Sequence, residues 1–265
     1  MMMQSLIFNL FMAHILGDFY LQGKESCDRK ILNGIRGWDL WLHAFLIGAL
    51  SWAAVGDCRG WWLALGIFVS HLLIDWMKSS LQIRMKIVRI EEQEGEKRVV
   101  AGKKKQCDLW MFLADQVLHL LVLVVGASIW ISCNKDWSQF GWLQNLAVSH
   151  PVRVKTVAAL LLALKPANLL VLLTLDACKV KMGTENANDG HGNFHSGELI
   201  GWLERGLILL FVVLAQYEAI GFLVAAKSIL RFGEASKDEK SEYVLTGTLL
   251  SLAIAVCLGL AVLAF

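Results

Sequence analysis

The chain has 265 residues, of which 56% are apolar and 18% charged, against roughly 45–50% and roughly 25% in soluble domains. Mean hydropathy is +0.53 and the formal net charge only +2. These values exclude a disordered chain, a secreted disulfide scaffold and a nucleic-acid binder, and point to an all-α polytopic membrane protein.

Residues 2–22 hold one ionised group, Asp18, and form the first membrane helix. They have no basic leader and no small-x-small cleavage pattern, so the segment reads as retained rather than as a signal peptide. The loop 23–39 carries Lys24, Arg29, Lys30 and Arg36. Residues 40–56 are uncharged and form a second helix, with His43 near its start. Residues 60–77 hold only Asp75, and residues 109–133 hold only Asp115. Each stretch is near or above the roughly 17–20 residues that a membrane crossing needs.

Between the third and fourth segments lies a polar insert, residues 78–108, with 14 of the chain's 48 charged residues. It starts amphipathic, passes through Glu91, Glu92, Glu94 and Glu96, and ends in Lys103, Lys104 and Lys105. It reads as a solvated cytoplasmic loop or as a surface helix that grips anionic lipid heads.

The second half is less regular. Residues 154–178 carry Lys165-Pro166 at their centre, so a re-entrant pair around Pro166 is one expectation. Residues 199–226 carry Glu204, Arg205 and Glu218, and residues 243–265 are uncharged. About six to seven transmembrane helices follow. They fall into an N-terminal four-helix bundle, 1–133, and a C-terminal helical part, 154–265. Nine Lys and Arg residues in the insert, and four in the 23–39 loop, place both loops inside and the N-terminus outside. The expected location is a bacterial inner membrane.

Ionisable groups inside membrane helices are costly and mark functional sites. Here they form a pattern: His14 and Asp18, His71 and Asp75, Asp115 and His119, each pair four residues apart. On a helix that spacing puts both groups on one face. The order reverses on the helix that runs the other way. All three aspartates therefore fall in one layer and the three histidines about 6 Å deeper, at 1.5 Å per residue, with His43 near the aspartate layer. Buried carboxylates need partners or a cation. Mixed nitrogen and oxygen donors suit a divalent metal, zinc or manganese, with room for two ions. Interhelical hydrogen bonding and a proton relay are the alternatives. The six cysteines show neither a disulfide framework nor a thiolate metal spacing.

The stretches AHILGDFYLQ at 13–22, HLLIDWMK at 71–78 and FLADQVLHLL at 112–121 resemble the bacterial membrane family catalogued as domain of unknown function 3307. ELIGWLERGLIL at 198–209, GFLVAAKSILRF at 221–232 and EYVLTGTLLS at 242–251 look like its C-terminal half. The resemblance implies that the seven His and Asp positions are a family signature. It implies no substrate.

Arg205, Lys227 and Arg231 are either ion-paired at helix ends or a weak anion-binding set. His191 and His195 lie in a Gly- and Asn-rich stretch, 183–198, that reads as a flexible loop. The expected function is an intramembrane metal-dependent hydrolase of an anionic lipid or phosphoester approached from the cytoplasm. Asp18, Asp75 and Asp115 would be its catalytic carboxylates, and His14, Asp18, His43, His71, Asp75, Asp115 and His119 its metal ligands. A divalent-metal transporter, or a membrane effector or assembly factor with a structural metal, are the alternatives. Membrane lipids are the expected surroundings, and no nucleic acid is expected.

Overall fold

A computed structural model describes residues 2–93, 96–101, 105–134, 151–178, 193–232 and 238–264. The chain divides into two compact units, Met1–Val148 and Ser149–Phe265. It is an all-α multi-pass membrane protein. Among the described residues, five helical stretches are long and apolar enough to cross a membrane: Trp38–Val55, Cys58–Arg84, Cys107–Cys133, Val152–Ala177 and Leu245–Ala264.

The first unit is built on four helices, α1 (Met2–Ile15), α3 (Trp38–Val55), α4 (Trp61–Arg84) and α5 (Lys105–Cys133), with a short helix α2 (Lys24–Asn33) between α1 and α3. α1 packs on α3, α3 on α4, α4 on α5 and α5 back on α1, which closes a bundle. Its apolar core holds Leu6, Leu10, Ile47, Val55, Leu63, Ile67, Leu123, Ala127 and Trp130. After Ile15 the first helix widens into a π-helical turn, Leu16–Tyr20, a local irregularity common at functional sites. The turn presses on α3: a Cβ added at Gly17 would lie 2.1 Å from Ile47 Cδ1, so any larger residue would make Ile47 shift. At the start of α4, Asp57 accepts hydrogen bonds from the Arg59 guanidinium and backbone N–H. Those bonds hold its carboxyl below the usual carboxylate range.

The insert is not a surface helix. α4 ends in a Schellman turn, with Lys86 N–H donating to Ile83 O and Ile87 N–H to Gln82 O, and with Lys86 at a φ of 57°. Ile87, buried at 1% exposure, anchors that exit. Two antiparallel strands follow, β1 (Val88–Gln93) and β2 (Glu96–Ala101), with Val88 opposite Ala101 and Gln93 opposite Glu96. The physical reason is period: Val88 and Ile90 alternate with Arg89 and Glu91, a strand pattern rather than a helical one. Lys103 and Lys104 lie outside the described residues, as does the side chain of Lys105.

The second unit contains α6 (Pro151–Ala177), α7 (Asn193–Val213), α8 (Tyr217–Phe232) and α9 (Asp238–Ala264). α6, α7 and α9 pack on one another around Ala159, Ala163, Leu209 and Val262. Two expectations are corrected here. α6 is one continuous helix through Pro166, not a re-entrant pair. The stretch 199–226 is two helices, because α7 also ends in a Schellman turn. Ala215 N–H donates to Val212 O and Gln216 N–H to Phe211 O, with Ala215 at a φ of 55°.

Candidate metal centre

The bundle brings all seven sequence-derived ligands to one place. His14, His43, His71, Asp75, Asp115 and His119 are each 6% exposed or less, and the Asp18 side chain is 12% exposed. Asp18 arrives on the π-helical turn of α1, His43 on α3, His71 and Asp75 on α4, Asp115 and His119 on α5. Antiparallel packing fixes the level of each pair: the His71 and His119 rings lie 4.1 Å apart, and His14 lies 5.0 Å from His119 and 5.6 Å from His71. His43 joins at the carboxylate level, 3.1 Å from Asp18 and 3.6 Å from Asp75.

The two ring nitrogens of His43 and His71 meet both Asp18 and Asp75, and the sets whose donor atoms all lie within 4.8 Å of one another are His43, His71 and Asp75, and His14, Asp18 and His71. His43 Nε2 is 3.0 Å from His71 Nε2 and 3.1 Å from Asp18 Oδ1. His71 Nε2 is 3.3 Å from Asp18 Oδ1 and 3.8 Å from Asp75 Oδ2, and His43 Nε2 is 3.6 Å from the same Asp75 oxygen. Tetrahedral zinc with bonds of about 2.0–2.1 Å sets its ligand atoms roughly 3.3 Å apart. These five separations bracket that value. The donors are also the types that zinc or manganese accepts.

A second, looser set surrounds the other Asp18 oxygen. His14 Nε2 lies 3.7 Å from Asp18 Oδ2, and Asp18, Asp115 and His119 each offer a ligand atom within 4.8 Å of the others. His119 Nδ1 lies 2.9 Å from the Asp115 backbone carbonyl. Because a carbonyl only accepts, Nδ1 carries the proton and Nε2 the lone pair. That Nε2, with His14 Nε2 and Asp115 Oδ1, is buried and has no hydrogen-bond partner among the described residues. Buried polar atoms are rarely left so, and three together mark a place for a ligand.

Three residues of the site escaped the sequence reading. Lys30 Nζ donates to Asp75 Oδ2 at 2.5 Å, and Lys78 Nζ to Asp115 Oδ2 at 2.7 Å. Gln116 reaches Asp18 at 3.4 Å and Asp115 at 3.2 Å. Lys78 had a signal, since it lies three residues after Asp75 on the same helical stripe. Lys30 had none, because α2 is a short polar helix whose docking depends on tertiary packing. With neutral histidines, three carboxylates against two ammonium groups leave the site one negative charge.

The second unit gives Arg205 a task other than anion binding. Its guanidinium is 2% exposed and donates to Ala163 O at 2.5 Å, Leu164 O at 3.4 Å, Ser251 Oγ at 3.2 Å and Asn168 Oδ1 at 3.3 Å. The two carbonyls lie in the turn just before Pro166. Proline in a helix removes one N–H, here the partner of the Leu162 carbonyl. Arg205 binds the next two carbonyls and so ties α7 to α6 beside the proline, where α6 continues unbroken. Lys227 is paired with Glu204. The side chains of Arg231 and His195, and all of His191, lie outside the described residues. All six cysteines are free thiols.

A family model described as a protein of unknown function (DUF3307) matches residues 6–147, more than half of the chain, and the chain belongs to that family. The matched segment holds every residue of the centre and stops before the second unit, so the stretches at 198–209, 221–232 and 242–251 lie outside it. No curated protein and no solved structure matches the chain.

Proposed function

We propose that this member of the family of unknown function 3307 binds a divalent metal ion, zinc or manganese, through Asp18, His43, His71 and Asp75, and hydrolyses an anionic phosphoester or lipid there. The observation that supports the metal is the approach of the His43 and His71 Nε2 atoms to each other and to oxygens of Asp18 and Asp75, at 3.0–3.8 Å. A second ion would take His14, His119 and the remaining Asp18 oxygen, which leaves Asp115 Oδ1 free.

The hydrolase reading rests on what surrounds the metal. A metal-bound water is a nucleophile near neutral pH. Asp115 suits the general base: Lys78 fixes one of its oxygens, and the other is buried without a partner among the described residues. In the proposed step the water oxygen bonds to phosphorus and its proton passes to Asp115 Oδ1. The P–O ester bond breaks, its electron pair stays on the alcohol oxygen, and that oxygen takes the proton back from Asp115. Lys30 and Lys78 balance the charge that builds on the phosphoryl oxygens.

The assay is alcohol or phosphate release from a panel of anionic phosphoesters in mixed micelles. Turnover should vanish with EDTA and return with zinc or manganese. A protein that retains its metal, turns over none of the panel and carries zinc into proteoliposomes would be a transporter. One that retains metal and does neither would hold it for structure.

The Lys- and Arg-rich loops support a bacterial inner-membrane placement with the N-terminus outside and the hairpin in the cytoplasm. In a background without native thiols, Val100→Cys should resist an impermeant thiol reagent in intact cells and react after lysis. Labelling in intact cells would invert this orientation.

A further inference from the structure

One feature of the first unit lies outside the metal chemistry. A trough of about 400 Å³ runs between α4 and α5, lined by apolar side chains such as Ile67, Ile74, Leu118 and Val125. Its polar lining residue, Ser70, turns its hydroxyl to the backbone and donates to Gly66 O at 2.8 Å. The trough therefore offers nothing to water or to a polar ligand.

The register of the two helices shows where it leads. Lys78 pairs with Asp115, His71 stacks on His119, and Trp62 stacks on Trp130, so α4 and α5 are antiparallel with these pairs at successive levels. The trough begins at Ile74 and Leu118 and runs to Trp62 and Ile129, about 18 Å at 1.5 Å per residue. Its near end lies at the level of the metal centre, since Ile67 and Ile74 flank His71 on one helical stripe and Leu118 adjoins His119. Lys78 lies one turn beyond that end, on the same stripe as Ile74, and its side chain is 29% exposed. Charge and polarity thus sit at one end, and a long apolar channel runs from them along the helices.

Gly66 gives the trough its depth. A Cβ added there meets no atom within 4 Å. Leu121 and Val125, each 55% exposed, leave the far wall uncovered. An apolar channel at this depth in a membrane helix pair matches an acyl chain, and the ammonium of Lys78 matches an anionic head group.

We propose that the substrate is a bilayer phospholipid with an anionic head group, its acyl chain lying in the α4–α5 trough and its head group at Lys78 and the Asp–His cluster. This inference rests on the hydrolase reading for the chemistry, but the trough can be tested without turnover.

The probe is phosphatidylglycerol with a diazirine in its acyl chain, cross-linked to the full-length protein in nanodiscs and mapped by mass spectrometry. Label should concentrate on residues 62–74 and 118–129, and excess unlabelled phosphatidylglycerol should compete better than phosphatidylcholine. Gly66→Trp fills the trough from open space and should reduce that labelling about tenfold, roughly the loss of two buried methylene contacts. Gly66→Ala adds one methyl and should label like the wild type, which controls for the helix itself. Metal content, measured in parallel, should be the same in all three proteins. Label spread evenly over the exposed helix faces, equal competition by the two lipids, or unchanged labelling in a folded Gly66→Trp protein would overturn the proposal. So would a wild type without label whose oligomeric mass falls on Gly66→Trp, which would assign the trough to a helix of a second copy. Trough labelling in a metal-free wild type would leave the lipid site standing and remove the hydrolase reading. Metal without trough labelling would do the reverse.

Discussion

His71→Ala is expected to leave the purified protein without its metal. His71 Nε2 is central to the proposed site, within 3.8 Å of His43, Asp18 and Asp75 donor atoms. Loss of a neighbour that merely orients a ligand already weakens metal binding about 10–100-fold, and loss of a ligand should exceed that. Elemental analysis of tag-free protein is the measurement. The wild type should carry about one ion per chain from the four-donor site, and His71→Ala close to none. The variant should still insert, because the apolar core around Leu6, Ile47, Leu123 and Trp130 is untouched. Wild-type metal content in the variant would remove His71 from the coordination sphere. A wild type without metal, and indifferent to chelators, would leave the cluster as a hydrogen-bonded network closed by Lys30 and Lys78.

Arg205→Met should cripple the second unit. The substitution keeps the apolar stem but removes four hydrogen bonds. It removes the Arg205 donors from the carbonyls of Ala163 and Leu164 beside Pro166 and from Ser251 and Asn168, at about 1.5–3 kcal/mol for a hydrogen bond to a charged group. The expected result is a large fall in thermal stability in detergent, with aggregation in place of a monodisperse peak. Arg205→Lys separates the two roles considered for this residue. A single ammonium cannot span carbonyls, hydroxyl and amide together, so the lysine variant should be nearly as unstable as the methionine one. A lysine variant of wild-type stability would return Arg205 to the anion-binding reading.

The hydrolase reading adds a dependence that neither variant tests. If Asp115 is the base, Asp115→Asn should abolish turnover while the His43, His71, Asp75 and Asp18 donors keep the first metal. Turnover at the wild-type rate would transfer the role to another carboxylate of the cluster.

The sequence by itself determined the membrane character, the helical class and the seven groups of the centre. It could do so because a charge in an apolar helix is conspicuous, and because four-residue spacing maps directly onto one helical face. The same local reasoning could not see which atoms would meet. That His43 and His71 meet both Asp18 and Asp75 follows from the packing of α1, α3 and α4 and from the π-helical turn that carries Asp18. Lys30 was invisible because its role depends on where α2 docks, a contact 45 residues away in sequence. The hairpin of the insert was legible in part, in the alternation of Val88 and Ile90, but was masked by the many charges around it. Pro166 misled for a physical reason. A proline costs a helix one ladder bond without having to end it, and here Arg205, from a helix some 40 residues on, ties the Ala163 and Leu164 carbonyls beside it into the folded unit.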